Sequence, residues 1–397
     1  MKEFLIRTLS KLINADTDSK RIDIICNVLK QLNLQFEIIS IKKSLGVDPD
    51  FTKTDELGQK SIRIKLNNNS KDTIILNTHF DTVPASAKMS KCSIFNNTIY
   101  GRGSCDALGQ VVLVLGLLKK IHNSKNKIPN IIIHFANCEE TGGNGTLSLL
   151  QNEQKANFAI VFEPTNFVIC NACRGALWFT VDIYGKSTHM GKFNEGDNAI
   201  YKTTYIILEL NKYWKSLIKE SKNHIYFRYY PLPIQLNIGK IQGGLINSTL
   251  PNKVTFYGAI GFLSNKNVTQ IKNELKCAIE RGTQKYLKLF TVKSKKHYNI
   301  YFNSLHNNPY EIKENKYLSK FISVCSKTLV SYPDVKGFPA SCDSRLFVLK
   351  KNIPTIVFGP GDLSFAHSDN EFINLRDIIK AINVVENFIY SILENDI

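Results

Sequence analysis

No stretch of this chain reaches the roughly 18 consecutive apolar residues of a membrane span, and none repeats internally or thins into a low-complexity linker. The opening MKEFLIRTLSKLINADTDS carries charges throughout. It lacks the continuous apolar stretch and small-residue cleavage site of a secretory signal. The nine cysteines are odd in number and scattered through apolar segments, which excludes a disulfide framework. Cys170 and Cys173 form a CxxC with no second pair, so a zinc knuckle is not expected. Reduced core cysteines of a cytosolic protein are the plain reading. A soluble, cytoplasmic chain follows as the expectation, with no membrane partner.

Arginine is scarce beside lysine, asparagine and isoleucine. Lys and Arg together number 51 against 34 acidic residues, a formal charge of +17. One reading is a basic surface for nucleic acid, acidic lipid or acidic substrates. The plainer one is the coding bias of an AT-rich genome. No stretch alternates basic and aromatic residues as a single-strand groove would. Lys293, Lys295 and Lys296 read as solvated loop charge, so no nucleic-acid partner is expected. At 397 residues, 43% hydrophobic and 21% charged, the composition is globular. The length suits two or three domains, or one large domain with an insertion.

Apolar spacing predicts helices over 2–14 and 18–32, the second capped by Asp18 or Ser19. Short apolar runs follow at Thr73–Asn77, Ile131–Asn137, Ala159–Phe162 and Thr355–Phe358. Separated by helical patterns, they predict a mostly parallel, buried sheet. Ala107–His122 is apolar nearly all round and predicts a buried helix. Between 174 and 294 the pattern changes to strand Ala176–Tyr184, helix Asn198–Ile218, strands Ile234–Ile241 and Asn252–Gly261, helix Asn267–Gly282 and strand Tyr286–Lys293. That β-α-β-β-α-β order is the ferredoxin-like pattern. It predicts an α+β domain of 174–294 inserted into an α/β domain of 1–173 and 295–397, which ends in a helix over Leu375–Leu393.

Each predicted strand of the α/β domain is followed by residues that carry chemistry. Thr78-His79-Phe80-Asp81 follows the first and Cys138-Glu139-Glu140-Thr141-Gly142-Gly143 the second. Glu163-Pro164-Thr165 follows the third. Gly359-Pro360-Gly361 and then Ala366-His367-Ser368 follow the fourth. Gly101-Arg102-Gly103-Ser104-Cys105-Asp106 opens the buried helix. Sites in open α/β sheets form outside the carboxyl ends of the strands. Two imidazoles, His79 and His367, and three carboxylates, Asp106, Glu140 and Glu163, suit zinc. Five ligands exceed one tetrahedral site and suit two metals sharing a bridging carboxylate. Asp81 is placed to accept the proton of the non-ligating nitrogen of His79. Glu139, beside a ligand yet unligated, is placed as a general base. A lone His-x-Asp is usually a surface turn and a Glu-Glu pair a solvated loop; their joint occurrence at four strand ends and a helix start carries the reading.

In order, HFDTVP, GRGSCD, CEETGG, FEPT and FAHSDNE resemble the zinc-dependent amidohydrolases and peptidases that include acetylornithine deacetylase, succinyl-diaminopimelate desuccinylase, aminoacylase and glutamate carboxypeptidase. The resemblance spans nearly the whole chain. It implies two Zn2+, with Co2+ or Mn2+ as substitutes: His79 and Glu163 on one, Glu140 and His367 on the other, Asp106 bridging. It implies that Asp81 orients His79, that Glu139 is the base, and that the inserted domain is a lid that mediates a homodimer. Gly185-Lys186-Ser187-Thr188-His189 resembles the segment whose histidine reaches the partner's site to stabilise the oxyanion; an ordinary strand-end histidine is the alternative. Gly243-Gly244-Leu245-Ile246-Asn247 resembles the loop whose Asn contacts substrate. Cys342-Asp343-Ser344-Arg345 resembles a pocket-lining segment. Arg174 and Arg345 are candidates for the substrate carboxylate, with a structural salt bridge as the alternative for each. Leu108 stands where the family usually has Lys, which removes no metal ligand. The implied activity is hydrolysis of an N-acyl amino acid, acetylornithine deacetylase-like and so within arginine biosynthesis. A desuccinylase, a dipeptidase or carboxypeptidase, and a non-catalytic binding homologue are the alternatives.

Overall fold

Four strands lie side by side and parallel, in the order Asn130–Ala136, Thr73–His79, Phe158–Val161 and Thr355–Val357. The computed structural model describes residues 1–41, 57–122, 124, 126–151, 153, 155–290, 296–302 and 306–393. Ile74, Ile75 and Leu76 are fully buried, as are Ile131 and Ile133 on the neighbouring strand. Near-continuous burial is what strands covered on both faces require. The sheet as a whole is mixed, not mostly parallel. Lys60–Leu66 runs antiparallel to Asn130–Ala136, Glu37–Ser40 antiparallel to Lys60–Leu66, and Ile169–Cys173 antiparallel to Thr355–Val357. Antiparallel strands at the two edges leave the parallel strands central.

Helix Leu108–His122 buries 12 residues, Leu108 among them. Its last turn carries Lys119 and Lys120, charges that suit the negative end of a helix dipole. It packs against Lys2–Asn14, which buries Leu5, Leu9 and Leu12, and against Leu375–Leu393, which buries Ile378, Ile382, Val385 and Ile389. The spacing of these buried residues is that of one helical face. The helix Asp18–Gln31 is capped by Thr17, not by Asp18 or Ser19. Thr17 is extended and its hydroxyl accepts from Lys20 N at 3.3 Å. No described helix is long and apolar enough to cross a membrane.

The chain divides into two compact units: Met1–Ala172 with Glu311–Phe338 and Cys342–Ile397, and Cys173–Tyr310 with Pro339–Ser341. The second follows the order Gly175–Tyr184, Ala199–Ser221, Leu236–Gly243, Lys253–Phe262, Val268–Leu289, Tyr298–Tyr301. Its strands pair antiparallel, in spatial order Leu236–Gly243, Lys253–Phe262, Gly175–Tyr184, Tyr298–Tyr301. Tyr286 is helical rather than the start of a strand. The stripe of Ile271, Leu275, Ala278, Ile279 and Tyr286 continues unbroken, and Tyr286 stacks on Phe290 at 4.6 Å. The last strand therefore comes later, and the unit extends past 294 to Tyr310. Lys293 and Lys295 lie outside the described residues.

Candidate metal centre

The carboxyl ends of the parallel strands bring four segments of the first unit together. His79 closes its strand with the ring buried. Its Nδ1 lies 3.0 Å from the main-chain carbonyl of Asp81. Donation of an Nδ1 proton to that carbonyl fixes the tautomer and frees the Nε2 lone pair. Nε2 lies 3.1 Å from Asp106 Oδ1 and 3.9 Å from Glu163 Oε1. His367 Nε2 lies 3.0 Å from Glu140 Oε1 and 3.3 Å from Asp106 Oδ2. The two oxygens of Asp106 thus face different imidazoles. Ligand atoms of His79, Asp106 and Glu163 lie within 4.8 Å of one another, and so do those of Asp106, Glu140 and His367.

Asp81 reaches His79 chiefly through its main chain; its Oδ1 is 3.5 Å from Nδ1. Its carboxylate accepts from Glu139 N at 3.2 Å and Glu140 N at 3.1 Å. One residue therefore ties the His79 strand to the turn that carries both glutamates. That turn is held from the other side by Arg345, whose Nη1 donates to Cys342 O and Nη2 to Gly142 O, both at 2.7 Å. The turn needs glycine at 143, where φ is +81° and a Cβ would stand 2.2 Å from Asp343 Oδ1. Cys138 and His367 also adopt positive φ, at 60° and 61°. Strained conformations of this kind collect at working sites.

The charges are unbalanced. Burial, with Asp343, Glu140 and Asp81 close by, pushes the Glu139 carboxyl well above its usual range, against the pull of His79. Burial likewise raises Glu163, with Asp106, Glu139 and Asp343 adding to it. Burial opposes a charge on Asp106 and on His79, but their hydrogen bonds win: Asp106 is held down by His367 and His79, and His79 is raised by Asp106 and Asp81. Hydrogen bonds to Asp106 and Glu140 push His367 up to about 10. A buried excess of carboxylate that draws protons onto two imidazoles is a donor set that divalent cations would neutralise and satisfy in place of those protons. The residues fit two zinc ions.

Arg174, His189 and Asn247 belong to the second unit. Arg174 is buried, its guanidinium 5.6 Å from the Phe227 ring and 5.7 Å from the Tyr230 ring, and it donates to Gln235 Oε1. His189 Nδ1 accepts from Gly191 N at 3.2 Å. The loop bearing Asn247 is joined to the His189 loop by main-chain bonds from Met190 N to Ser248 O and from Leu250 N to Thr188 O, at 2.8 and 2.9 Å. Three further residues near the site, Arg102, Gln110 and Glu371, have no signature of their own in the sequence. Gln110 Nε2 donates to Cys105 O and to Pro360 O, at 3.2 and 2.8 Å. Arg102 and Glu371 form a buried pair 2.6 Å apart. The strings GRGSCD and SDNE contain Arg102 and Glu371, but a pair separated by 269 positions has no spacing signature.

Residues 75–391 match the model of "Peptidase family M20/M25/M40". The chain belongs to that family. It is 26% identical over 399 residues to the acetylornithine deacetylase of Buchnera aphidicola subspecies Schizaphis graminum, covering 97% of this chain and 96% of that one. It is 26% identical over 343 residues to the succinyl-diaminopimelate desuccinylase of Buchnera aphidicola subspecies Cinara cedri, covering 81% and 84%. Among solved structures, a tripeptidase of Staphylococcus aureus superposes with a TM-score of 0.76 at 16% identity, covering 100% of this chain and 99% of that one. At that identity the likeness concerns the fold. With two ligand groups sharing Asp106, the M20 chain carries a metal-dependent hydrolase active site.

Proposed function

We propose that the chain hydrolyses the amide bond of an N-acyl amino acid, in the manner of an acetylornithine deacetylase. The observation that carries the reading is Asp106, each of whose oxygens faces a different imidazole. His79 and Glu163 would hold one zinc and Glu140 and His367 the other, with Asp106 available to both. When bound, the zinc pair supplies Lewis acidity and lowers the pKa of the attacking water. Glu139 takes the proton from that water and returns it to the departing nitrogen. Asp81, with its carboxylate on Glu139 N and Glu140 N, holds base and ligand in register. His189 of the partner subunit donates to the oxyanion as charge develops, and Asn247 contacts the substrate. Arg174 takes the substrate carboxylate; Arg345, spent on Cys342 O and Gly142 O, holds the glutamate turn. The second unit serves as a ferredoxin-like lid and homodimer contact. The exposure of the edge strand Leu236–Gly243 at Ile241, and of Leu245 and Ile246 in the loop after it, supports that role.

The acyl group decides between close readings, and the similarity to a desuccinylase keeps a succinyl substrate in contention. Zinc-loaded protein is assayed for amine release from N-acetylornithine, N-succinyl-diaminopimelate, N-acetylmethionine and a glutamyl dipeptide, each with and without chelator. Chelator-sensitive turnover of N-acetylornithine above the others is expected. Turnover of none by protein holding two metals per chain refutes the substrate class; preference for the succinyl compound or the dipeptide replaces the acetyl assignment.

A further inference from the structure

Glu371 lies four residues beyond His367, is fully buried, and belongs to neither ligand group. Its Oε1 accepts from two consecutive amides, Cys105 N at 3.0 Å and Asp106 N at 3.1 Å. Its Oε2 accepts from Arg102 Nη1 at 2.6 Å. The same Arg102 nitrogen lies 3.4 Å from Ser368 O, next to His367. The main chain adds Gly101 N to Glu371 O at 3.3 Å, and Phe372–Asn374 pairs antiparallel with Thr98–Tyr100. Every one of these bonds joins the loop that delivers Asp106 to the loop that delivers His367.

A buried carboxylate carries a heavy desolvation penalty unless fully bonded, so a neutral side chain would join two loops at less cost. What a carboxylate adds is a charged acceptor that holds two adjacent N–H groups on one oxygen while its other oxygen is fixed by a guanidinium. That anchors the Asp106 main chain at the point from which its side chain must reach two imidazoles at 3.1 and 3.3 Å. Movement of the loop by an ångström would forfeit one of those two contacts. We propose that Glu371 and Arg102 are a positioning pair that sets Asp106 to serve both metal sites at once. This rests on the reading of Asp106 as the shared ligand.

The test titrates metal-free wild-type and Glu371→Gln protein with Zn2+ against a chromophoric chelator, and follows thermal unfolding of the metal-free chains in parallel. Wild type is expected to hold two Zn2+ per chain. Glu371→Gln is expected to remain folded at the titration temperature and to lose roughly 10–100-fold in affinity, the usual cost of removing a partner behind a metal ligand. A merely structural pair would lower the unfolding midpoint and leave the Zn2+ affinity of the folded chain within about threefold of wild type; that result overturns the proposal. If Glu371→Gln does not fold, Arg102→Lys decides: weakened Zn2+ binding by folded protein supports the pair, and unchanged binding overturns it. A wild-type chain holding fewer than two Zn2+ overturns the shared-ligand reading, and the proposal with it.

Discussion

Gly143→Ala is the most discriminating test of how the glutamate turn is built. At φ +81° an L-residue costs about 1–2 kcal/mol relative to glycine. The new Cβ would stand 2.2 Å from Asp343 Oδ1 and 3.2 Å from Arg345 Nη2. Asp343 Oδ1 must therefore move, and Arg345 must give by a few tenths of an ångström. Crowding an extra carbon into a packed interior costs about 1–3 kcal/mol. The two effects together come to roughly 2–5 kcal/mol. Gly58→Ala supplies the control: φ there is +87° and no described residue stands within 4 Å of a Cβ. It bears the backbone cost alone, about 1–2 kcal/mol. Urea unfolding of metal-free protein, with the midpoint shift read at constant slope, should separate the two variants by at least about 1 kcal/mol. Equal losses would refute the contact argument and leave only the backbone.

Two further outcomes are expected. Glu139→Ala should keep two metals per chain and lose about 10²–10⁴-fold in kcat, the usual contribution of a positioned base; unchanged turnover with metals in place removes Glu139 from that role. His134 is fully buried, its ring stacked on Phe347 and its Nε2 3.5 Å from Glu153 Oε1. Burial holds its pKa below 6.5, with Arg63 and Lys65 adding to the effect and Glu153 opposing it. The unfolded chain takes up the proton first, so stability is full above about pH 7 and falls as pH drops through the unfolded value. His134→Asn should flatten that part of the stability curve relative to wild type; an unchanged slope between pH 7 and 5.5 refutes the assignment.

What was legible in the sequence is what lies close along the chain. The parallel strands announced themselves because both faces are buried and the apolar runs are continuous. The turns after them announced themselves because chemistry gathers at strand ends. The edges of the sheet were not legible: Lys60–Leu66 is a modest run whose antiparallel pairing depends on where the chain returns. The strand expected from Tyr286 failed because its aromatic residues, good strand formers in isolation, are the last turns of an amphipathic stripe that began at Ile271. Tertiary burial of that stripe outweighs local preference. Thr17 was passed over as a cap because Asp18 and Ser19 are equally good capping types; only the extended backbone at 17 decides among them.

The two arginines show where residue type stops being informative. By sequence, Arg174 and Arg345 are equivalent forks for a carboxylate. In the fold Arg345 has both terminal nitrogens on main-chain carbonyls, with Asp343 Oδ1 at 3.9 Å, so its donors are already used in holding the turn of Glu139 and Glu140. Arg174 is equally buried, yet no carboxylate lies within ion-pair distance of it among the described residues. Two ring faces and one amide oxygen surround it, and burial pushes its guanidinium down to about 10. A buried cation without a counter-charge is expensive to keep, and ring faces offset only about 2 kcal/mol of that cost. The cost is recovered if an anion arrives with the substrate. That asymmetry supports Arg174 over Arg345 as the proposed carboxylate reader. Arg174→Gln should therefore raise KM for the anionic substrate and leave metal binding alone, and a KM unchanged from wild type would return Arg174 to a packing role.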